Sequence, residues 1–346
     1  MENGSCVYRL VQPQEQQAVI DFINEHFDMS LPLINRSEFF EHYYRGINGE
    51  LQFAVAEQNG QYAAVCGYIL ANSAEQPDVW ASIWVSAKGS SGAGIGLMVA
   101  MPRLLNARIV ACNNIRKKTC VLYHFLGWTA ERLPHFFRLS GKTCAADYKL
   151  CKPAVPEGAE VETYAPQRLP VSSDLALTRV ENEAQLAALG MPVCSHTPAK
   201  DVWYLSRRYF NYPHQSYDVY AALENGKPLC YVVTRTVMSG EQGEIPVLRV
   251  VDFIGEDAVL PRIGAELNRL LTEAGAEYAD CYCKGIPAEV FAAAGFTERT
   301  EGDGNIIPNY LTPPLYANTE YYYFTNAPEN FVMFKADGDQ YRPNLA

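Results

Sequence analysis

The chain has no apolar run long enough to cross a membrane, which takes about 20 consecutive apolar residues, so no membrane partner is expected. Positive charge is scarce. Lys and Arg number 28 against 39 Asp and Glu, a net charge of −11. Nucleic-acid binding without sequence preference needs a basic face, so no nucleic-acid partner is expected either. Arg116-Lys117-Lys118 is a local exception. It reads equally well as a solvated helix start or as an anion contact. Paired cysteines are missing too. The ten cysteines are scattered, mostly in apolar stretches such as those holding Cys66, Cys112, Cys120 and Cys230, and read as buried thiols. Cys281-Tyr282-Cys283 puts two sulfurs on one strand face, but no second Cys or His pair stands at ligand spacing, so no metal is expected. Met1-Glu2-Asn3-Gly4 does not open a basic segment followed by an apolar one, the mark of a secretory signal. A reducing cytoplasm is the expected compartment.

What the chain does contain is a repetition. Gly96 precedes Tyr123 by 27 positions, in a segment that ends Leu122-Tyr123-His124-Phe125-Leu126-Gly127-Trp128. Gly264 precedes Phe291 by the same 27, ending Val290-Phe291-Ala292-Ala293-Ala294-Gly295-Phe296. The 168 positions between Gly96 and Gly264 are too many for a solenoid unit and suit two duplicated domains. A proline-rich stretch, 152–171, reads as the linker, so the expected domains are 1–150 and 151–346.

Periodicity fills in the elements. Val7–Val11 reads as a strand, Gln14–Phe27 and Arg36–Tyr44 as helices, and Leu51–Glu57, Tyr62–Ala71 and Val79–Val85 as strands. Asn59-Gly60 marks a hairpin between the first two of these, and Asn225-Gly226 marks one in the second half. A glycine loop from Lys88 to Gly94 leads to a short helix, Ile95–Leu105, with Pro102 kinking it or ending it early. Ala107–Cys112 is a strand, Lys118–Leu126 a helix and Trp128–Leu139 a final strand region. The second half repeats the order more loosely, from a helical Asp201–Phe210 to a helix at Pro287–Ala294. Strands cluster rather than alternate with helices, so the fold class is mixed α+β.

A strand that runs into Ser91-Gly92-Ala93-Gly94-Ile95-Gly96 and then a helix offers several backbone N–H groups to one anion. A Rossmann fingerprint would need an acidic residue about 20 positions on, where this chain has Ile115-Arg116-Lys117. A P-loop ends Gly-Lys-Ser/Thr, and Gly96-Leu97-Met98 does not. A plain tight turn is the bland alternative.

The loop, the element order and Tyr123-His124-Phe125-Leu126-Gly127-Trp128 together resemble the GNAT (Gcn5-related) N-acyltransferase superfamily over about residues 6–140. The family's loop reads Gln/Arg-x-x-Gly-x-Gly/Ala and its helix–strand ending Tyr-x-x-x-Gly-Phe. Ser91 replaces the leading Gln/Arg, which removes a side-chain contact and leaves the backbone cradle. The resemblance implies two tandem domains, each a mainly antiparallel sheet flanked by helices. It also implies acetyl-CoA or another acyl-CoA bound by Ser91, Gly92, Ala93, Gly94, Ile95 and Gly96. A bulge near Trp84, Val85 and Ser86 would free backbone donors for the thioester carbonyl, and Asn114 would reach the pantetheine arm or cap a turn. Tyr123 is the expected acid for the departing thiolate, with a core tyrosine as the alternative. Glu57, His42 and His124 are possible bases, and none stands out. The second copy lacks the glycines between Asp257 and Arg262 and has Phe291 for the tyrosine, so it is expected to bind no coenzyme.

The second half is also similar to GNAT-like proteins of bacterial surface-polysaccharide loci. The likeness runs over Tyr204-Leu205-Ser206-Arg207-Arg208-Tyr209-Phe210-Asn211-Tyr212-Pro213, Leu248–Gly255 and the ending 335–344. It implies a small-molecule amine acceptor, an amino sugar or nucleotide-linked amino sugar, held where the two domains meet. Asp337 and Asp339 would hold sugar hydroxyls or a cation, or stand in a solvated turn around Gly338. The alternatives are a FemABX-like aminoacyl transferase, which the acidic charge and the coenzyme loop count against, and a non-catalytic acyl-CoA-binding module. The sequence sets neither acyl length nor oligomeric state.

Overall fold

The computed structural model describes residues 6–27 and 31–341. The first half runs β1 (Val7–Leu10), α1 (Gln16–His26), α2 (Pro32–Asn35), α3 (Ser37–Tyr44), β2 (Phe53–Gln58), β3 (Gln61–Leu70), β4 (Asp78–Ser86), α4 (Ser91–Leu104), β5 (Ile109–Ile115), α5 (Cys120–Phe125), β6 (Thr129–Leu133) and β7 (His135–Leu139). The second half runs β8 (Leu177–Val180), α6 (Glu183–Leu189), α7 (Val202–Leu205), β9 (Asp218–Glu224), β10 (Lys227–Ser239), β11 (Ile245–Gly255), α8 (Gly264–Glu273), β12 (Tyr278–Lys284), α9 (Ala288–Ala293), β13 (Thr297–Arg299), β14 (Tyr321–Thr325) and β15 (Met333–Phe334).

The local reasons match those read from the sequence. Asn59 and Gly60 both take positive φ (52° and 75°), as do Asn225 and Gly226 (54° and 76°), the geometry of a two-residue hairpin turn that matches strand twist. The helix α1 buries Val19, Phe22 and Ile23, one face at helical spacing. Gly127 and Gly295, at φ 76° and 90°, end α5 and α9 in the left-handed conformation that closes a helix. The Trp128 amide then reaches the Tyr123 carbonyl, and the Phe296 amide the Phe291 carbonyl, each at 2.9 Å.

The strands form two mixed, mainly antiparallel sheets. Their orders are β1-β2-β3-β4-β5-β14-β6 and β13-β7-β12-β11-β10-β9-β8, with β15 added on β12. The sheets do not divide at residue 150. Strand β7, from the first half, lies between β13 and β12, while β14, from the end of the chain, lies between β5 and β6. Each half lends the other one strand. The single strand region expected over Trp128–Leu139 is therefore two strands, and they part at Pro134 into different sheets. The exchange repeats a stacking pair in both halves. Tyr123 stacks on Phe324 of β14 at 4.0 Å, and Phe291 stacks on Phe136 of β7 at 3.9 Å.

A core rich in buried aromatics runs between the sheets, from Phe39, Tyr43 and Phe53 to Tyr204, Tyr231 and Tyr282. The outer faces are covered by α4 and α5 on the first sheet and by α8 and α9 on the second.

Candidate functional site

Both sheets open at the same place. In the first, β4 and β5 run parallel but pair only at Asp78–Ile109, Val79–Val110 and Trp80–Ala111, then diverge. The divergence starts at a bulge. Cys66 faces Trp84 and Tyr68 faces Ala81, so Ser82 and Ile83 together oppose Gly67. An extra residue in one strand bends it and leaves backbone groups unpaired. Gly67 is required there, since a Cβ would come 2.9 Å from the Tyr44 ring and 3.0 Å from that of Phe53. The bulge thus falls at Ser82–Ile83, ahead of the expected Trp84, Val85 and Ser86. Trp84 and Ser86 instead face α4, and Val85 is buried in the core on the opposite face.

The glycine segment is helical rather than a loop. The helix α4 begins at Ser91 and runs through Pro102 to Leu104, four residues earlier than expected. The reason is packing. A Cβ at Gly94 would collide with the Ser86 hydroxyl, and one at Gly96 with the Tyr8 phenol. These two positions let the helix lie directly on β4 and β1. Gly92 faces open space on the first turn, where the helix dipole is positive, while the Ala93 and Gly94 amides already donate to the Ser90 carbonyl at 3.0 and 3.3 Å. Ala93 and Leu97 lie in the same buried cluster as Tyr123. Ile95 is half-buried.

Tyr123 sits on α5, 3% exposed, between Phe324 and Trp128. Burial, then the neighbouring thiols of Cys112, Cys66 and Cys120, push its phenol well above 10. It stays protonated at neutral pH and is a proton donor only. Asn114, at φ 59°, donates to the Gln340 side chain at 3.1 Å, and Asn113 donates to the Lys335 and Asp337 carbonyls at 3.1 and 3.0 Å.

Those last partners belong to the C-terminal tail, which connects the two halves. Strand β15 pairs with β12 at Cys283–Phe334 and Lys284–Met333. This fills the opening of the second sheet, where β11 and β12 pair only at Leu248–Ala279 and Arg249–Asp280. Asp337, 1% exposed, meets Lys200 at 2.7 Å, and Lys200 meets Asp252 at 2.7 Å on its other side. The tail then crosses to the first sheet. Asp339 Oδ2 accepts from Ser82 Oγ at 2.7 Å, at the bulge itself, and Ser82 Oγ lies 2.8 Å from the Tyr44 hydroxyl. Gln340 Nε2 donates to the other Asp339 oxygen at 2.5 Å. Burial pushes the Cys112 thiol on β5 up, and the Asp339 charge adds to it, which places that carboxylate beside β5 as well. The expected solvated turn around Gly338 is a buried junction. Residues 342–344 of the ending lie outside the described residues.

The side chains considered as bases stand elsewhere. Glu57 pairs with Arg9 at 2.6 Å. His124 Nε2 contacts the Ala130 carbonyl at 2.8 Å. The His42 ring lies edge-on to Tyr43 and Tyr212, and burial, then Arg208 and Arg207, lower it to about 3.

A parallel strand pair splayed at a bulge, beside a helix whose N-terminus opens on an uncrowded glycine, is the architecture of the GNAT fold. Comparison with solved structures agrees. A GCN5-related N-acetyltransferase from Anabaena variabilis is similar over 93% of this chain and 72% of its own, with a TM-score of 0.53 at 12% identity. A conserved protein of unknown function from Enterococcus faecalis, described as a probable N-acyltransferase, is similar over the same shares, with a TM-score of 0.50 at 12% identity. At such identity the likeness establishes a two-domain GNAT fold. No family model matches the sequence, and no curated protein does.

Proposed function

We propose that the chain is an acyl-CoA-dependent N-acyltransferase whose reaction takes place in the first sheet. The observation that carries this is the opening between β4 and β5. The bulge at Ser82–Ile83 lies at it, Asp339 bonds Ser82 there, Gly92 on the first turn of α4 is uncrowded, and Tyr123 shares a buried cluster with Ala81 of β4 and Val110 of β5.

The backbone amides of Ser91 and Gly92 would hold the coenzyme's pyrophosphate at the start of α4. The unpaired edge of β4 beyond Trp80 would hold the acyl arm, with its amides aimed at the carbonyl oxygen as charge develops there. The acceptor amine attacks the thioester carbonyl and gives its proton to Asp339, held in place by Ser82 and Gln340. The carbon–sulfur bond breaks, and Tyr123 supplies a proton to the departing thiolate. The products are an amide and free CoA. Asp339 is the residue that sequence reasoning missed as a base. Its only sequence signal was a short run of Asp, Gly and aromatic residues near the chain end.

The preferred acceptor is a small amine, an amino sugar or a nucleotide-linked one, and the cytoplasm is the compartment that fits. Aminoacyl transfer from tRNA is disfavoured by the net charge of −11. A binding module without turnover would have no use for a carboxylate and a phenol on either side of the opening. Isothermal titration with acetyl-CoA, followed by an amino-sugar screen for thiol release, tests the proposal. One-to-one binding with turnover supports it, and the absence of acetyl-CoA binding ends it.

A further inference from the structure

Next to Asn114 and Gln340 lies a cleft of about 320 Å³ between the two sheets, lined also by Arg235, Arg249, Lys335, Asn309, Tyr310 and Tyr341. Its volume suits one small molecule. Its charge is unusual. Arg235 on β10 and Arg249 on β11 are direct cross-strand partners, and like charges placed opposite each other destabilise a sheet. Lys335, 5% exposed, lies 2.7 Å from the Asn309 side-chain oxygen and 3.9 Å above the Tyr321 ring. Arg208, 3% exposed, adds a fourth cation, bonded to the Ala336 and Gln340 carbonyls and to the Tyr217 hydroxyl.

Among the described residues, one carboxylate lies within ion-pair distance of these four cations. It is Asp280, 3.3 Å from Arg249. Among the described residues the Arg235 guanidinium has neither an ion pair nor a hydrogen bond. The strain shows in the protonation equilibria. Burial, with Arg249 and Arg208 nearby, lowers Arg235, and burial with Arg249 lowers Lys335 well below a lysine's usual range. Charges are retained in an interior when something balances them. Among the described residues that balance is missing, and a ligand would supply it.

We propose that this cleft is an oxyanion site that holds a carboxylate or phosphate of the acceptor. The Arg235 guanidinium is its free fork, Arg249 is its fixed background charge, and Lys335 is a further hydrogen-bond donor that an anion would favour in its charged form. Gln340 lines the cleft and bonds Asp339, so a molecule anchored there would present its amine toward the base. This geometry makes the acceptor an anionic amine, such as an amino-sugar phosphate or an amino acid derivative, rather than a neutral amino sugar. The word acceptor rests on the acyl-transfer reading, whereas the oxyanion site does not.

The test is isothermal titration of inorganic phosphate and of acetate into the full chain at constant ionic strength, with CoA in excess to occupy the amides of α4. Wild type and Arg235→Gln are compared. The expected result is that one ion binds wild type and that Arg235→Gln weakens it about tenfold or more, the usual weight of a charge-assisted bond. Arg235→Lys should restore part of the loss. The ion that binds names the group, phosphate or carboxylate. Failure of both ions to bind wild type overturns the proposal whatever the variant does, and so does equal binding to Arg235→Gln. A separate acetyl-CoA titration keeps the two readings apart. Phosphate bound without acetyl-CoA bound leaves the oxyanion site standing and removes acyl transfer. The converse leaves acyl transfer with a neutral acceptor.

Discussion

Replacing Lys200 by Met tests how the tail is held. Lys200 is 6% exposed and bridges two fully buried carboxylates, Asp252 and Asp337, at 2.7 Å each. Removing one partner of a buried ion pair leaves an uncompensated charge and costs about 3–5 kcal/mol. The loss should depend on pH, and its sign follows from Asp337. Burial raises that carboxyl to about 6, with Lys200 pulling the other way. A raised carboxyl stabilises the folded state when protonated. This contribution is complete below about pH 4 and is lost as pH rises through 6. Without Lys200 the carboxyl rises further, so Lys200→Met should lose most at pH 7 and clearly less at pH 5, where Asp337 is largely neutral in both proteins. Urea unfolding at the two pH values reads both differences. Because Asp339 is two residues from Asp337, kcat should also fall while acetyl-CoA affinity holds. A loss under about 1 kcal/mol at pH 7, or equal losses at both pH values, would refute the reasoning.

Other outcomes follow from single side chains. Tyr123→Phe should lower kcat by about 10²–10⁴-fold, with acetyl-CoA affinity kept, as seen by titration beside a steady-state assay. Asp339→Asn keeps an oxygen for Ser82 but removes the proton acceptor, and the same fall is expected in kcat. An unchanged rate would leave the reaction without its base. Cys194 should be the first of the ten cysteines to react with iodoacetamide. Burial would raise its thiol, but His196 outweighs that and lowers it, while His196, 2.8 Å from Asp257, is itself raised to about 9. Peptide mapping of a brief alkylation reads the order, and His196→Gln should slow Cys194 and leave the other thiols unaffected.

The parts of this structure legible in the sequence were those set by local backbone chemistry. Asn59-Gly60 and Asn225-Gly226 specify their turns, and the 27-residue spacing survives because both helix–strand corners end on a left-handed glycine. The start of α4 was misplaced because glycine weakens a helix in isolation. Contact with Ser86 and Tyr8 overrides that preference, and propensity carries no information about those partners. The strand exchange was hidden because β6 and β7 follow each other with a single residue between them. Pro134 alone marks the place where the ladder must break, and a proline does not say which sheet each side joins. Asp339 was hidden for a different reason. A carboxylate beside glycine reads as surface, and only contacts more than 250 positions apart in the chain show it at the bulge.

Under the proposed acyl-transfer reading, the same contacts separate the two halves. Each sheet has a bulge, at Ser82–Ile83 in β4 and at Val251 in β11, and each opens beyond it. In the first, a helix with an uncrowded glycine faces the opening. In the second, the equivalent approach is a 3-10 helix without glycine, Asp257–Ile263, whose Asp257 is taken up by His196 at 2.8 Å. Phe291 stands where a proton donor would be needed, and β15 occupies the gap. By anchoring there through Lys200, the tail delivers Asp339 and Gln340 to the first opening at fixed geometry. The duplicated half thus acts through what it positions. Its own opening, filled by β15, becomes the support that places the proposed base over the first opening, and its two strand-paired arginines line the cleft beside it.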